Sequence, residues 1–481
     1  MQYNSIHYNA ILNVIKQICT IVFPIITFSY VTRTIGAENY GKLGFVSSIM
    51  SYLNLIAVLG RNVYAVREGA KLRDMEEDFA LFASQIYTIN VITALFAYFI
   101  LIVLYIFWPK LRNYSILVLI YSFPIIAGTI GKDWINTIYE DFRYLTIRYI
   151  IFQILSVALI FGFVKQQDDY LLYAGIIMFS ACAPQFFNFF YVRKYGTIRL
   201  LQKEIGIKKH LIPMLVLFSS AIATSIYTNS DITIIGIFLN DYKTGQYSFS
   251  VSIYTMIKVA INAVIAVFVP RISNLLGNNR LDEYNRLLKS GFILVLTLAL
   301  PSAIGLFMVS KEVTMLFGGE GYSEATISLK ILCLSIPFSL LSSFLNSVIL
   351  VPNCEEKYCL KTVIASAFIN VFLNILAVPF VGIYGAAITT FIAEVFVFIC
   401  FWKLGSAHCA GLFDIYGLIS VIIPSVLIVF CCLAARRFFD GLLLLIVSVI
   451  SSCIVFLVFS VVLKNPVLKT DWIHYKEGKN V

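Results

Sequence analysis

Charge is scarce in this sequence. Asp, Glu, Lys and Arg together make up 13% of the 481 residues, about half the ~25% of an ordinary soluble domain. A chain so poor in charge cannot cover a water-facing surface. A soluble enzyme, a disordered chain and a nucleic-acid binder with a solvated basic face are therefore excluded. Histidine is rarer still: His7, His210, His408 and His474 are the four, each expected singly at a membrane edge. No Gly-x-x-x-x-Gly-Lys-Ser/Thr phosphate loop, His-Glu-x-x-His motif or metal-ligand cluster occurs in the sequence, so no metal site or cofactor is expected. The ten cysteines are scattered, mostly in apolar runs. The lone C-x4-C of Cys354 and Cys359 has no second pair, and these residues read as small apolar side chains rather than ligands or disulfides. Long loops are missing too. The largest, near residues 61–78, 193–210 and 271–289, hold roughly 20 residues each, which leaves no room for a nucleotide-binding or extracytoplasmic catalytic domain. The first apolar run follows no basic segment and has no small-residue cleavage site, so it reads as a retained helix.

Hydrocarbon is what the chain has in excess. Apolar residues reach 60%, against roughly 45–50% in soluble domains. A helix needs about 20 mostly apolar residues to cross a bilayer. That length picks out spans with cores at residues 9–32, 41–60, 79–107, 114–130, 149–164, 170–192 and 211–239. Seven more follow at 244–269, 291–309, 325–350, 362–378, 382–402, 415–433 and 442–463, for fourteen in all. Barrel strands would be about ten residues long and strictly alternating, which these runs are not. The fold class is an all-α polytopic membrane protein.

The formal net charge is +10, and its placement sets the orientation. Alternate loops carry 24 basic residues on one side and 9 on the other. The positive-inside rule then puts both termini in the cytoplasm. Three lysines, Lys16, Lys258 and Lys330, fall within spans.

An internal repeat of six spans is suggested by GKLGFVSSI at residues 41–49 and GQYSFSVSI at 245–253, which share Gly, Phe, Ser and Ile at matching positions. Parallel repeats are a known transporter plan. They divide the chain into an N-terminal six-helix bundle (1–209), a second bundle (210–403) and two further helices with a tail (404–481).

Several patterns resemble the polysaccharide (O-antigen type) flippases of the multidrug/oligosaccharidyl-lipid/polysaccharide exporter superfamily. They are YVTRTIGAENYGKLGF (30–45), LGRNVYAVRE (59–68), NSDITIIGIFL (229–239), VPRIS (269–273) and INVFLNILAVPFVGIYGAAITTFIAE (369–394). In the last of these, Asn370, Asn374, Pro379, Gly382, Gly385 and Glu394 carry the match. The resemblance implies two bundles around a central cavity with two helices appended. It also implies alternating access that carries an undecaprenyl-pyrophosphate-linked oligosaccharide from the cytoplasmic to the outer leaflet of the bacterial inner membrane. Membrane lipid, and a polysaccharide polymerase with chain-length machinery, are the partners it brings with it; nucleic acid is not among them.

Charges inside the membrane are costly, about 2.5–3.5 kcal/mol at the centre on insertion scales, and tend to face cavities or partners. Lys258 lies about 14 residues into its span, roughly 21 Å along the helix. Either it pairs with Asp231 on the preceding helix and fixes packing, or it faces the cavity and attracts the diphosphate. Lys16 near the cytoplasmic entrance either snorkels to the headgroups or forms a cationic mouth with Arg61, which otherwise serves as a positive-inside anchor. Glu394 is either a coupling carboxylate or a packing partner for Asn370 or Asn374. Aromatics, at 15%, offer sugar-stacking surfaces as well as interfacial belts.

Other functions remain in view. A drug/cation antiporter of the same superfamily would place acids in the first half's cavity, where the first span offers Lys16 and no carboxylate. A polytopic glycosyltransferase or polymerase usually needs a long outer loop, which is absent. Export of teichoic-acid or peptidoglycan precursors is not separable from export of O-antigen or capsule units at this stage.

Overall fold

Long apolar runs can satisfy their backbone groups in a bilayer only within their own helix, and the chain folds accordingly. The computed structural model describes residues 6–201, 203, 206–406 and 415–466, with side chains from residue 19 onward except 21. Among these residues no strand forms. The helices in chain order are α1 (Ile6–Val58), α2 (Arg61–Gly69), α3 (Glu76–Phe107), α4 (Pro109–Arg112), α5 (Ser115–Gly131), α6 (Asp133–Ile138), α7 (Phe142–Phe163), α8 (Tyr170–Tyr191) and α9 (Ile207–Phe238). Then come α10 (Asp241–Gly277), α11 (Leu281–Met308), α12 (Ser310–Phe317), α13 (Ala325–Phe344), α14 (Glu356–Val381), α15 (Ile383–Gly405), α16 (Ile415–Phe438) and α17 (Gly441–Val462). The last turn of α13 continues as a π-helix over Leu345–Leu350.

Twelve of the described helices are long and apolar enough to cross a membrane, and α5 is apolar but shorter. α1 holds the first two expected spans in one hydrogen-bonded run. Gly36 breaks it with φ 75° and ψ 169°, a conformation open to glycine and strained for other residues. With its two arms taken separately and α5 included, the fourteen spans read from the sequence are all present. Their outward side chains are hydrocarbon: Phe99 is 61% exposed, Phe107 79% and Phe380 88%. Apolar surface on this scale is stable only against lipid. The protein is a multi-pass membrane protein.

The chain forms two compact units that part at the turn between α9 and α10. The first holds residues 1–236 with 240–245, the second 237–239 with 246–481. In the first, α1 packs against α3, α5 and α7, and α8 lies against α5 and α7. Its interior has two clusters. One gathers Ile35, Phe45, Leu111, Leu117 and Ile125; the other gathers Tyr64, Phe79, Phe82, Ile86, Trp134 and Met214. In the second unit α13 lies against α11 and α15, α14 packs on α15, and α16 joins α11 to α17. Ser328, Ser335, Ser339 and Ser342 of α13 are buried. Such small residues let backbones approach where lipid removes the hydrophobic drive between helices.

The two glycines that open the repeated segments meet each other within the first unit. A Cβ on Gly41 would stand 1.8 Å from the Asp241 carbonyl oxygen, and one on Gly245 1.8 Å from that of Ala37. The start of α10 therefore touches α1 backbone to backbone, and only glycine fits at either position.

Candidate functional site

α1 ends at Val58. Leu59 and Gly60, both with positive φ, then turn the chain into the short helix α2. The turn sends the first side chain of α2, Arg61, inward, where it is 5% exposed. A buried charge loses several kcal/mol of hydration, which partners must replace. Arg61 finds four hydrogen bonds, all to neutral oxygens. Its Nη1 donates to Asn90 Oδ1 and, at 3.2 Å, to the Gly128 carbonyl. Its Nε and Nη2 donate to Asn62 Oδ1 at 3.2 and 3.1 Å. Asn90 is itself fixed by donating to the Ala57 carbonyl at 2.8 Å. No carboxylate pairs with Arg61 among the described residues. The guanidinium is held by neutral oxygens, with the Asp133 carboxylate close enough to act on its charge without bonding it, and it lines a cavity of about 730 Å³ together with Asn54, Arg67, Asp133, Trp134 and Gln185.

Two residues of that lining, Asp133 and Gln185, belong to a second polar network. Arg148, 7% exposed, donates from Nη2 to Asp133 Oδ1 at 2.7 Å and from Nη1 to the Pro184 carbonyl at 2.8 Å. Gln185 and Asn188 on α8 donate to the same Asp133 carboxylate at 2.8 and 2.9 Å. These bonds tie α6, α7 and α8 together.

Lys258, on α10 in the second unit, is held differently. Its Nζ donates to Glu394 Oε1 at 2.9 Å and to the Tyr254 hydroxyl at 3.1 Å, and Tyr254 donates to the same Glu394 oxygen at 3.0 Å. The Glu394 side chain is 5% exposed and that of Lys258 22%. The acid bonded to Lys258 is thus Glu394, and the carboxylate weighed as a neighbour of the asparagines serves the lysine. Asn374 donates to Asn370 Oδ1 at 3.2 Å and accepts from Thr389 at 2.9 Å, which joins α14 to α15. Asp231 is buried on α9, in the first unit. Lys16 lies on α1, and its side chain is outside the described residues.

Some residues that matter here were not singled out from the sequence. Tyr254 sits one turn before Lys258, at the i, i+4 spacing that brings side chains together, and that spacing was the available signal. Asn90, Asp133 and Trp134 carried none. Two basic residues counted as loop charges, Arg148 and Lys132, are buried. Lys132, just beyond α5, places its Nζ 3.9 Å from the Tyr87 ring centroid. Burial, and then the nearby Arg193, push its pKa down to about 8. His210, expected at a membrane edge, is 1% exposed and bonds Tyr64 at 2.8 Å and Gln85 at 2.9 Å.

A family model described as "Polysaccharide biosynthesis protein" matches residues 6–276, more than half of the chain and most of the motif islands above. The chain belongs to the polysaccharide biosynthesis protein family. Among similar members is a protein of Escherichia coli (strain K12) named "Putative O-antigen transporter", 26% identical over 402 residues, which covers 82% of this chain and 95% of the relative. In fold, this polysaccharide biosynthesis protein is similar to a solved structure titled "Lipid II flippase MurJ, inward closed conformation". The TM-score is 0.74 at 15% identity, covering 96% of this chain and 99% of that one. An inward-facing multidrug resistance MATE family transporter of the MOP superfamily matches at a TM-score of 0.59 and 14% identity, over 84% of this chain and 95% of that one. The fold is therefore that of the exporter superfamily suggested by the motifs.

Proposed function

We propose that this protein is a flippase for a lipid-linked glycan. It moves an undecaprenyl-pyrophosphate-linked oligosaccharide of the O-antigen or capsule type from the cytoplasmic to the outer leaflet by alternating access. The names of its relatives, an O-antigen transporter and a lipid II flippase, support the substrate class. The observation that carries the reading is Arg61, a buried cation lining a cavity and bonded only to neutral oxygens. The sugar and diphosphate cannot enter hydrocarbon without a replacement for their hydration. A guanidinium already desolvated, and bonded to no carboxylate among the described residues, offers an anion the strong, geometrically defined hydrogen bonds that Arg makes to phosphate.

Lys258 is the second candidate for the diphosphate, and Glu394 competes for it. At rest the pair is neutral, and a diphosphate that displaced Glu394 would exchange one anionic partner for another. This keeps the path from becoming a trap for the anion. Lys16 completes the proposed cationic entrance. Asp231, Asn370 and Asn374 are assigned to positioning the helices. The protein resides in the cytoplasmic membrane with both termini in the cytoplasm, as the 24-to-9 distribution of basic loop residues supports. We retain the bundle assignment 1–209, 210–403 and 404–481 on the strength of the repeat. A polysaccharide polymerase with its chain-length machinery would act next on the translocated unit.

Deletion of the gene is expected to strand lipid-linked repeat units on the cytoplasmic leaflet and abolish surface glycan. Normal glycan display in a strain with no redundant transporter overturns the proposal. For the site, Arg61→Gln at normal protein level should lower display about tenfold, the loss of one charge-assisted contact, and Arg61→Lys should restore part of it.

A further inference from the structure

The cavity beside Arg61 contains more than a phosphate site requires. Trp134 on α6 is 3% exposed and lines this cavity, yet its indole N–H has no hydrogen-bond partner among the described residues. An indole N–H can only donate, so it would take an acceptor from a ligand in the cavity. Asn54 on α1 also lines the cavity and makes no hydrogen bond among the described residues, which leaves two donors and an acceptor open. Opposite in charge to Arg61 stands Asp133, whose side chain is 36% exposed. Its oxygens keep lone pairs beyond those taken by Arg148, Gln185 and Asn188. Pro124 and Ala127 add an apolar stretch of wall.

Phosphate does not fit this lining on its own. It accepts hydrogen bonds but does not donate them, and the Asp133 carboxylate repels it. A drug-like cation is opposed by Arg61 and Arg67. A lipid tail would leave the indole, amide and carboxylate without partners. The ligand that answers all of these groups carries hydroxyls, which donate to Asp133 and accept from Trp134 and Asn54, on a ring with apolar C–H faces. The volume of about 730 Å³ lies within the usual range of small-ligand sites.

We propose that this cavity of the first unit is a sugar-recognition subsite, in which Trp134, Asn54 and Asp133 read the hydroxyls of a pyranose next to the anion held by Arg61. The subsite rests on the flippase reading for its place in transport, and its binding chemistry is tested without transport. In full-length protein carrying Trp108→Phe, Trp402→Phe and Trp472→Phe, Trp134 is the only indole. The probe is the water-soluble oligosaccharide released by mild acid from the organism's own lipid-linked precursor, with inorganic pyrophosphate as the control.

Saturable change of Trp134 fluorescence with the oligosaccharide is expected, and Asn54→Ala should weaken it about fivefold, the loss of a neutral hydrogen bond. Asn54→Leu, which keeps the helix and most of the volume, should weaken it further. A response to pyrophosphate with none to the oligosaccharide, or equal oligosaccharide affinity in wild type and Asn54→Ala, overturns the subsite. Flipping is then followed separately in proteoliposomes. A protein that binds the oligosaccharide and moves no lipid-linked substrate refutes the flippase and leaves the subsite standing. A protein that flips the substrate while Asn54→Ala binds sugar normally does the reverse.

Discussion

Removing either partner of the Lys258–Glu394 pair should cost far more than removing both. Lys258→Met leaves the Glu394 carboxylate, 5% exposed, with the Tyr254 hydroxyl as its remaining hydrogen-bond donor among the described residues. Stranding one charge of a buried pair costs about 3–5 kcal/mol. Tyr254 and the partial exposure of the lysine, 22%, put this case toward the lower end, about 3 kcal/mol. Glu394→Leu strands the ammonium instead and should cost about as much. The double variant buries no charge, and replacing a buried ion pair by apolar residues of similar volume is often close to neutral. The coupling energy in the double-mutant cycle is therefore expected to equal nearly the two single losses together, about 6 kcal/mol, above the usual range of about 0.5–3 kcal/mol. Thermal unfolding of the four purified proteins in one detergent measures it, with the double variant melting near wild type and each single variant several degrees lower. Additive losses in the cycle would refute the pairing. The same set tests the exchange proposed for transport: Glu394→Gln frees Lys258 while keeping a hydrogen-bond acceptor, so lipid-linked substrate should bind more tightly and leave more slowly.

Gly245→Ala inserts a methyl where the Ala37 carbonyl oxygen is 1.8 Å away, so the backbones of α1 and α10 must separate. Overpacking of this kind costs about 1–3 kcal/mol or more, and the yield of monodisperse protein should fall sharply, whereas Gly162→Ala, with nothing within 4 Å, should be tolerated. Lys132 supplies a pH test. Its folded-state pKa is about 8, below the ~10.4 of an unfolded lysine, so between these values the unfolded chain binds more protons and stability rises with pH. Lys132→Met should remove that slope between pH 8 and 10 in thermal melts; an unchanged slope refutes the assignment.

Much of the architecture was legible in the chain. The helix spans follow from apolar length alone, because a bilayer forces every backbone group to be satisfied within its own segment. The kink at Gly36 falls between the first two spans expected from the sequence, and Gly41 and Gly245, which open the two similar segments, lie against each other. The site was legible only in part. Arg61 was named, but Asn90, Gly128 and Asn62, which hold it without cancelling its charge, were not. Lys258 was named, but its bonded acid was sought on the adjacent helix and found on α15, 136 residues away.

The sequence by itself determined that this protein is a many-helix membrane protein, and its motifs placed it among polysaccharide exporters. Length and polarity act locally, and a bilayer converts them directly into helices. Only the tertiary structure decided which cation is neutralised and which stays available. It also decided that Trp134 and Asn54, whose side chains make no hydrogen bond among the described residues, line the cavity that Arg61 lines. Those outcomes depend on how far each helix is rotated and at what depth it crosses its neighbours, and spans that are apolar on nearly every face leave that rotation to packing.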